Sequence, residues 1–161
     1  LLPLVPELTI FDGDRFSHDA ALQTVRASTP DVLCLHLSLS AAGLEERRLF
    51  DRLIEREALG STGIGGGIAI PHGRMGSLTT PRGLFARLAQ PVAFDAIDDR
   101  PVDIVFFLVA PEGAGADHLK ALARVSRLLR DRSLVDKLRA TENAEALYAL
   151  LVESIQAQSA A

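Results

Sequence analysis

One short segment constrains the fold more than any other. Residues 102–110 read VDIVFFLVA, an almost unbroken apolar run. The run is too short to cross a bilayer as a helix, which requires roughly 18 apolar residues or more. Its length and its β-branched and aromatic residues are typical of a strand buried on both faces of a sheet. The rest of the chain must therefore cover two sheet faces.

Helical patterns occur on both sides of this segment. Between residues 44 and 58 apolar side chains recur every three or four positions, which predicts an amphipathic helix. Three more helices are predicted near the C-terminus: one capped by Asp117, one opened by Ser133 and one opened by Thr141. These helices are candidates to cover the sheet.

Further strands and one short helix complete the predicted elements. Ser17 is predicted to cap a helix that ends before Pro30. Strands are predicted at residues 33–39, 68–70 and 83–89, from alternation or short apolar runs. Helices and strands mixed in 161 residues predict one α/β domain over 1–161, a single-domain sandwich of helices around a mixed β-sheet.

Composition excludes several classes of function. The net charge of −4, with Arg and Glu interspersed, does not fit a nucleic-acid-binding surface, which must be basic. Direct membrane insertion is not expected, because no apolar run is long enough. Cys34 is the only cysteine, so no internal disulfide can form, and a cytoplasmic location is favoured.

A glycine-rich segment lies directly before a histidine. Residues 60–67 read GSTGIGGG and are predicted to form a loop, because glycine loses the most backbone entropy on ordering. Pro71 ends the strand at 68–70 and places His72 beside the loop. Nucleotide-binding glycine motifs follow a strand and open a helix, whereas this one follows a helix and precedes a strand. Nucleotide binding through this motif is therefore disfavoured.

His72 is the most interesting of the four histidines. Their spacing does not match a zinc site, so no metal is expected. Neutral imidazole attacks phosphorus well, and phosphoimidazole passes the phosphoryl group on readily, so an accessible histidine suits phosphate relay. From these residues alone, a structural or merely exposed histidine in a turn remains the more frequent explanation.

The motif as a whole resembles a known family. Residues 60–73, GSTGIGGGIAIPHG, resemble the phosphorylation-site signature of the mannitol/fructose-type enzyme IIA domains (PTS EIIA type 2) of the bacterial phosphoenolpyruvate-dependent phosphotransferase system. FDAID at 94–98, PVD at 101–103 and the glycine after the histidine are most similar to the nitrogen-regulatory branch. The resemblance covers about 44–155, and residues 1–43 diverge from it. It implies the fold of the phosphotransferase/anion transport protein-like domains.

The resemblance also implies roles for individual residues. It makes His72 the phosphoryl acceptor, Arg56 an active-site arginine and His118 a second active-site histidine. His118 has a separate physical argument, because it follows the predicted cap Asp117, where free N–H groups attract an anion; an exposed position is expected. A phosphate loop and docking surface is assigned to Ser61, Thr62, Gly63, Gly65 and Gly73. The resemblance also suggests an acidic rim around His72, and Asp95, Asp98 and Asp99 are candidates to lie near it.

The implied function is that of a phosphotransferase component without a cofactor. His72 would accept phosphate from an HPr-like phosphocarrier protein, and the phosphorylation state would change which partner proteins are bound. One alternative is a sugar-specific, fructose/mannitol-type IIA component that donates phosphate to a cysteine of a IIB domain. Another is a non-catalytic binding module on the same scaffold, against which the presence of His72, Arg56 and His118 argues.

Overall fold

The computed structural model of this chain describes residues 7–12, 15–18, 21–24, 46–76, 78–79, 81–141 and 144–160. Its strands are β1 Glu7–Asp12, β2 Arg15–His18, β3 Ala21–Thr24, β4 Gly63–Gly65, β5 Ile68–Ala69, β6 His72–Met75, β7 Arg82–Val92 and β8 Val102–Pro111. Its helices are α1 Glu46–Ala58, α2 Ala116–Leu128, α3 Arg132–Ala140 and α4 Ala144–Ala160, and a 3₁₀ turn at Glu112–Ala114 leads into α2. The strand predicted at 33–39 lies outside the described residues.

The strands form one mixed sheet in the order β3-β2-β1-β7-β8-β5-β4. Strand β8 lies in its interior, antiparallel to β7 on one side. On its other side β8 pairs in parallel first with β5 and then with β6. The predicted mixed α/β architecture is confirmed, and β8 is the interior strand that the apolar run predicted.

The core has two halves, one on each face of the sheet. Residues 105, 107 and 109 of β8 belong to one half, which α1 covers with Leu49 and Leu53. Residues 104, 106 and 108 belong to the other half, which α2, α3 and α4 cover. Each of these six β8 side chains is no more than 1% exposed. The prediction of a strand buried on both faces is confirmed.

The predicted helix after Ser17 is wrong. Ser17 lies in β2, paired with Ile10 of β1 and Leu22 of β3 in antiparallel register. Neighbouring strands therefore satisfy backbone groups that the sequence pattern assigned to a helix. A cap signal is local, whereas strand pairing depends on residues distant in sequence, and here the pairing prevails.

The predicted starts of the C-terminal helices are displaced. Gly115, with φ of 46°, precedes α2, so Asp117 is inside the helix and is not its cap. Helix α3 is capped by Asp131, whose carboxylate accepts from the N–H groups of Ser133 and Leu134. Helix α4 begins at Ala144 and not at Thr141. No helix among the described residues is long and apolar enough to cross a membrane.

Candidate functional site

The glycine-rich segment forms a tight hairpin. Strands β4 and β5 pair in antiparallel fashion with an irregularity at Gly65, so the segment predicted to be a loop is partly strand. Gly65, Gly66 and Gly67 have φ of 91°, 67° and 79°, a left-handed backbone that residues with a Cβ rarely adopt. Glycine is required here for the shape of the turn.

Side chains from two helices fix the hairpin in place. Glu57 of α1 accepts hydrogen bonds from the backbone N–H and the hydroxyl of Thr62, at 2.9 and 2.7 Å. Arg139 of α3 donates to the carbonyl of Gly66 at 2.7 Å and pairs with both carboxylate oxygens of Asp103. The segment leading to His72 is therefore held at both ends.

Pro71 separates β5 from β6 without breaking the pairing along β8. Its carbonyl accepts a hydrogen bond from the N–H of Leu108 at 3.0 Å, and His72 then opens β6 opposite the same Leu108. Proline has no N–H, so it leaves no unmet donor at the break. His72 is thereby held in a fixed position beside the interior strand β8.

Both ring nitrogens of His72 have partners. Nδ1 lies 2.8 Å from the carbonyl oxygen of Ile70, which can only accept, so Nδ1 carries the proton. Nε2 accepts a hydrogen bond from Nε of Arg56 at 3.1 Å. Arg56 itself is held by a second bond, from Nη1 to the carbonyl of Gly60 at 2.9 Å. This network leaves the Nε2 lone pair facing Arg56.

The environment favours the neutral form of His72. Burial lowers the pKa of this imidazole below 6.5, and the positive charges of Arg56 and Arg74 lower it further. The hydrogen bond to Ile70 and the charge of Glu57 oppose that shift in the pKa. Neutral imidazole is the nucleophilic form, so these effects support nucleophilic attack by Nε2.

His118 lies beside His72, and it is buried. The two ring centroids are 5.7 Å apart with planes inclined at 50°. His118 is 4% exposed, so the expectation of an exposed position is wrong: the first turn of α2 packs onto the sheet. Its Nδ1 is buried and has no hydrogen-bond partner among the residues that the structure describes. Burial, together with the charges of His72 and Arg74, lowers the pKa of His118.

Arg56, His72, Gly73 and His118 line one open cleft of about 480 Å³. The exposed side chains of Leu59 and Leu119, 86% and 62% accessible, also line it. The remaining charged residues around it are Arg52, Glu55, Arg74 and Glu112. Arg52 is near both glutamates, at 3.6 Å, so Arg56 and Arg74 remain as cations available to a phosphate.

Of the loop residues predicted for the site, Gly73 lines this cleft, whereas Ser61, Thr62, Gly63 and Gly65 do not. The hydroxyl of Ser61 accepts a hydrogen bond from the N–H of Gly63 and donates one to the carbonyl of Phe94. Thr62 donates its hydrogen bonds to the carboxylate of Glu57. Gly65 lines a different concavity. Gly73 backs onto α1, where an added Cβ would lie 3.6 Å from the Cβ of Arg52. The glycine hairpin thus positions His72 without lining its cleft.

The predicted acidic rim does not surround His72. Asp98 accepts a hydrogen bond from the N–H of Gly66 at 2.8 Å, at the turn of the hairpin. Asp95, Asp98 and Asp99 are not among the residues lining the cleft. The groups at the cleft are instead a mixture of arginines, glutamates and two exposed leucines.

Arg74 and Glu57 were not singled out in the sequence. Arg74 follows His72 by two positions, and residues two apart in a strand share a face, so this spacing could have identified it. Glu57 contacts Thr62 across a helix end, for which no short sequence signal exists. Among the described residues no three His, Cys, Asp or Glu side chains are grouped to hold a metal ion.

Comparison with known proteins identifies the family. The model of the family described as "Phosphoenolpyruvate-dependent sugar phosphotransferase system, EIIA 2" matches residues 31–154. The chain belongs to this EIIA family. The match begins upstream of residue 44, where the resemblance was expected to start, and it contains Arg56, His72 and His118.

Individual EIIA relatives agree with this assignment. A nitrogen regulatory protein of Bradyrhizobium diazoefficiens is 48% identical over 141 residues, which are 86% of this chain and 92% of that protein. The crystal structure of nitrogen regulatory protein IIA-Ntr from Neisseria meningitidis matches with a TM-score of 0.74 and 31% identity, covering 92% of this chain and 94% of that one. A fructose-specific EIIA component of Haloferax volcanii is 35% identical, covering 76% of this chain and 80% of that protein.

Proposed function

We propose that this EIIA protein is a phosphohistidine carrier of the nitrogen-regulatory type, acting in the cytoplasm. Nε2 of His72 accepts a phosphoryl group from an HPr-like phosphocarrier protein. The observation that carries this proposal is the fixed tautomer of His72, with Nδ1–H bonded to Ile70 and an unprotonated Nε2 facing Arg56. Membership of the EIIA family supports it.

The transfer step exchanges one phosphorus–nitrogen bond for another. The bond in the donor's phosphohistidine breaks as the bond from phosphorus to Nε2 of His72 forms, and the donor imidazole leaves with the electron pair. Arg56, 3.1 Å from Nε2, releases that nitrogen and donates to phosphoryl oxygens instead. Guanidinium donors stabilise the charge on the transferring group. Nδ1 keeps its proton, which stays hydrogen-bonded to the carbonyl oxygen of Ile70.

His118 completes the site on the opposite side. Its unpartnered ring nitrogen and its short distance from His72 suit a donor that bonds a phosphoryl oxygen after transfer. Phosphorylation also adds about −1.5 to −2 charges to the cleft. A partner that docks on the cleft therefore discriminates between the two forms, which is the basis of the proposed regulation.

The first experiment tests the acceptor. The protein is incubated with phosphoenolpyruvate, enzyme I and an HPr-like carrier, and the intact mass is measured. We expect one phosphoryl group that is labile in acid and stable in alkali, as phosphohistidine is. His72→Ala abolishes labelling, whereas His18→Ala, a histidine of β2, retains it. Equal labelling of His72→Ala and the wild type overturns the assignment.

A second measurement identifies the nitrogen. Nitrogen-15 NMR of the phosphorylated protein distinguishes a phosphoryl group on Nε2 from one on Nδ1. We expect Nε2, because Nδ1 is occupied by its bond to Ile70. Phosphorylation on Nδ1 contradicts the proposed geometry while leaving His72 as the acceptor.

The sugar-specific alternative has one supporting observation, the similarity to the fructose-specific EIIA component of Haloferax volcanii. It is tested by adding a purified fructose-type IIB domain to the phosphorylated protein. Transfer to the IIB cysteine at a rate comparable to uptake from the carrier supports the sugar-specific role. Retention of the phosphoryl group supports the regulatory one.

A further inference from the structure

A second concavity is lined by described residues that are all different from those of the His72 cleft. It has a volume of about 580 Å³ and lies between the glycine hairpin, the segment before β8 and helix α3. Volumes of roughly 300–1,000 Å³ are typical of small-molecule sites. The proposed transfer at His72 uses none of the residues that line it.

The lining of this concavity is apolar at its base. Ile68, Leu129 and Val135 contribute to it and are 5%, 1% and 4% exposed. Ile64, at the turn of the hairpin, is 37% exposed. Ile64 therefore provides most of the accessible apolar surface of these four side chains, and a ring or other flat group can pack against it.

Four arginines surround that apolar base, against one lining carboxylate, Asp136. Arg100, Arg130 and Arg132 are exposed. In the described part of the chain the guanidinium groups of Arg130 and Arg132 make no hydrogen bond or ion pair. The whole chain carries a net charge of −4, so this concentration of positive charge is local.

The nearby carboxylates are committed to other groups. Asp131 caps α3 through the N–H groups of Ser133 and Leu134. Asp103 is paired with the fourth arginine, Arg139. Asp98 accepts from the N–H groups of Gly66 and Arg100. Arg130 and Arg132 are thus left to bind an anion from solution.

We propose that this concavity is a binding site for a small anion that carries a diphosphate. The guanidinium fork matches phosphate oxygens in a bidentate manner. The apolar lining of the concavity suits the nucleobase of a nucleotide. This site does not depend on a phosphate-binding glycine loop. Its phosphate contacts come from arginine side chains. The earlier argument against nucleotide binding, that the glycine segment follows a helix and precedes a strand, therefore does not concern this site.

Binding is measured by calorimetry on the full chain at low salt, using ADP, inorganic pyrophosphate and adenosine. We expect saturable binding of ADP at one site per chain, weakened by added salt because exposed charges are screened. ADP binding at least tenfold tighter than pyrophosphate identifies a nucleotide ligand, and equal affinities identify a free diphosphate. Adenosine, which lacks phosphate, is expected to bind at least tenfold more weakly than ADP.

Paired charge reversals locate the site. Arg130→Glu with Arg132→Glu is expected to weaken ADP or pyrophosphate binding at least tenfold. Arg124→Glu with Arg127→Glu, two exposed arginines of α2 outside the concavity, is the matched control and is expected to retain binding. If the first pair unfolds the protein, the milder pair Arg130→Gln with Arg132→Gln, checked by circular dichroism, replaces it and is expected to weaken binding severalfold.

Three results overturn the proposal. One is the absence of saturable binding of both ADP and pyrophosphate up to about 1 mM. Another is equal weakening by the two pairs of charge reversals. The third is loss of binding in Arg74→Ser, which places the anion in the His72 cleft. None of these results depends on phosphorylation of His72, so the proposed carrier function stands or fails separately.

Discussion

The two walls of the His72 cleft are built in opposite ways. On the His72 wall, formed by Arg56 and His72, each ring nitrogen of the histidine has a partner: Nε of Arg56 and, behind the wall, the carbonyl of Ile70. On the His118 wall, formed by His118 and Leu119, a buried ring nitrogen has no partner within the described part of the chain. A buried polar group left unpaired costs about 1–3 kcal/mol. The His72 wall thus has its hydrogen bonds in place without a phosphoryl group, whereas the proposed function requires a phosphoryl oxygen to bond the unpartnered nitrogen of the His118 wall.

The largest effect is expected from the His72 wall. Arg56→Ala removes the donor to Nε2 and is expected to slow phosphoryl transfer by about 10²–10³, the usual loss for one charge-stabilising donor. Arg56→Lys keeps the charge but not the planar fork, so an intermediate rate is expected. Transfer is followed with labelled phosphoenolpyruvate, alongside thermal unfolding.

Arg47→Ala is the control for this change. Arg47 is also on α1, its side chain is 90% exposed, and it pairs with Asp51 at 3.7 Å. It is expected to leave transfer unchanged. If Arg56→Lys lowers the melting temperature and leaves transfer intact, Arg56 is a structural residue and the His72 wall has no catalytic donor.

A smaller loss, about tenfold to a hundredfold, is expected when the His118 wall is made apolar. His118→Leu removes the orphan nitrogen while filling the same space, so the melting temperature should stay equal or rise as transfer falls. His118→Ala, which empties a buried position, should lower the melting temperature as well. His118→Gln should recover part of the transfer rate. Full transfer in His118→Leu would remove the functional contrast between the walls.

The pH dependence gives a more modest effect. The pKa values of His72 and His118 in the folded protein are both lowered from 6.5. At a pH between each lowered pKa and 6.5, the unfolded chain therefore binds more protons than the folded protein. Stability is therefore complete above about pH 6.5 and falls as the pH drops through that window. The transfer rate falls with protonation of His72 at a midpoint below 6.5. NMR titration of both imidazoles checks this; a midpoint at or above 6.5 contradicts it.

The smallest effect is expected at the exposed edge of the His118 wall. Leu119 is 62% exposed and lines the cleft, so Leu119→Ser should raise the KM for the carrier protein severalfold with kcat unchanged. Tyr148→Ser, at a residue of α4 that is 46% exposed and away from the cleft, should leave both constants unchanged. A fall in kcat with constant KM would assign Leu119 to the chemistry instead of docking.

The same contrast explains how far the sequence alone could lead. The elements that build the His72 wall are close together in sequence. The preceding helix, the strand at 68–70 and Pro71 follow one another, and local patterns identified them. The burial of His118 depends on the packing of α2 against a strand that is distant in sequence. No local sequence pattern predicts such packing. Strands β1, β2 and β3 were missed for the same reason, because they pair with one another and β1 pairs with the distant β7. Arg74 could have been found from its period-two spacing with His72.

The carbonyl of Pro71 has a mechanical consequence. Because it accepts from the N–H of Leu108, the interior strand stays bonded on the side that carries His72, directly through the break between β5 and β6. Backbone on such a ladder moves little, and the amide of Leu108 should exchange with deuterium as slowly with phosphate on His72 as without it. Under the proposed function, a partner protein then distinguishes the phosphorylated form by the charge and the side-chain positions at the cleft, while the backbone of this strand keeps its position.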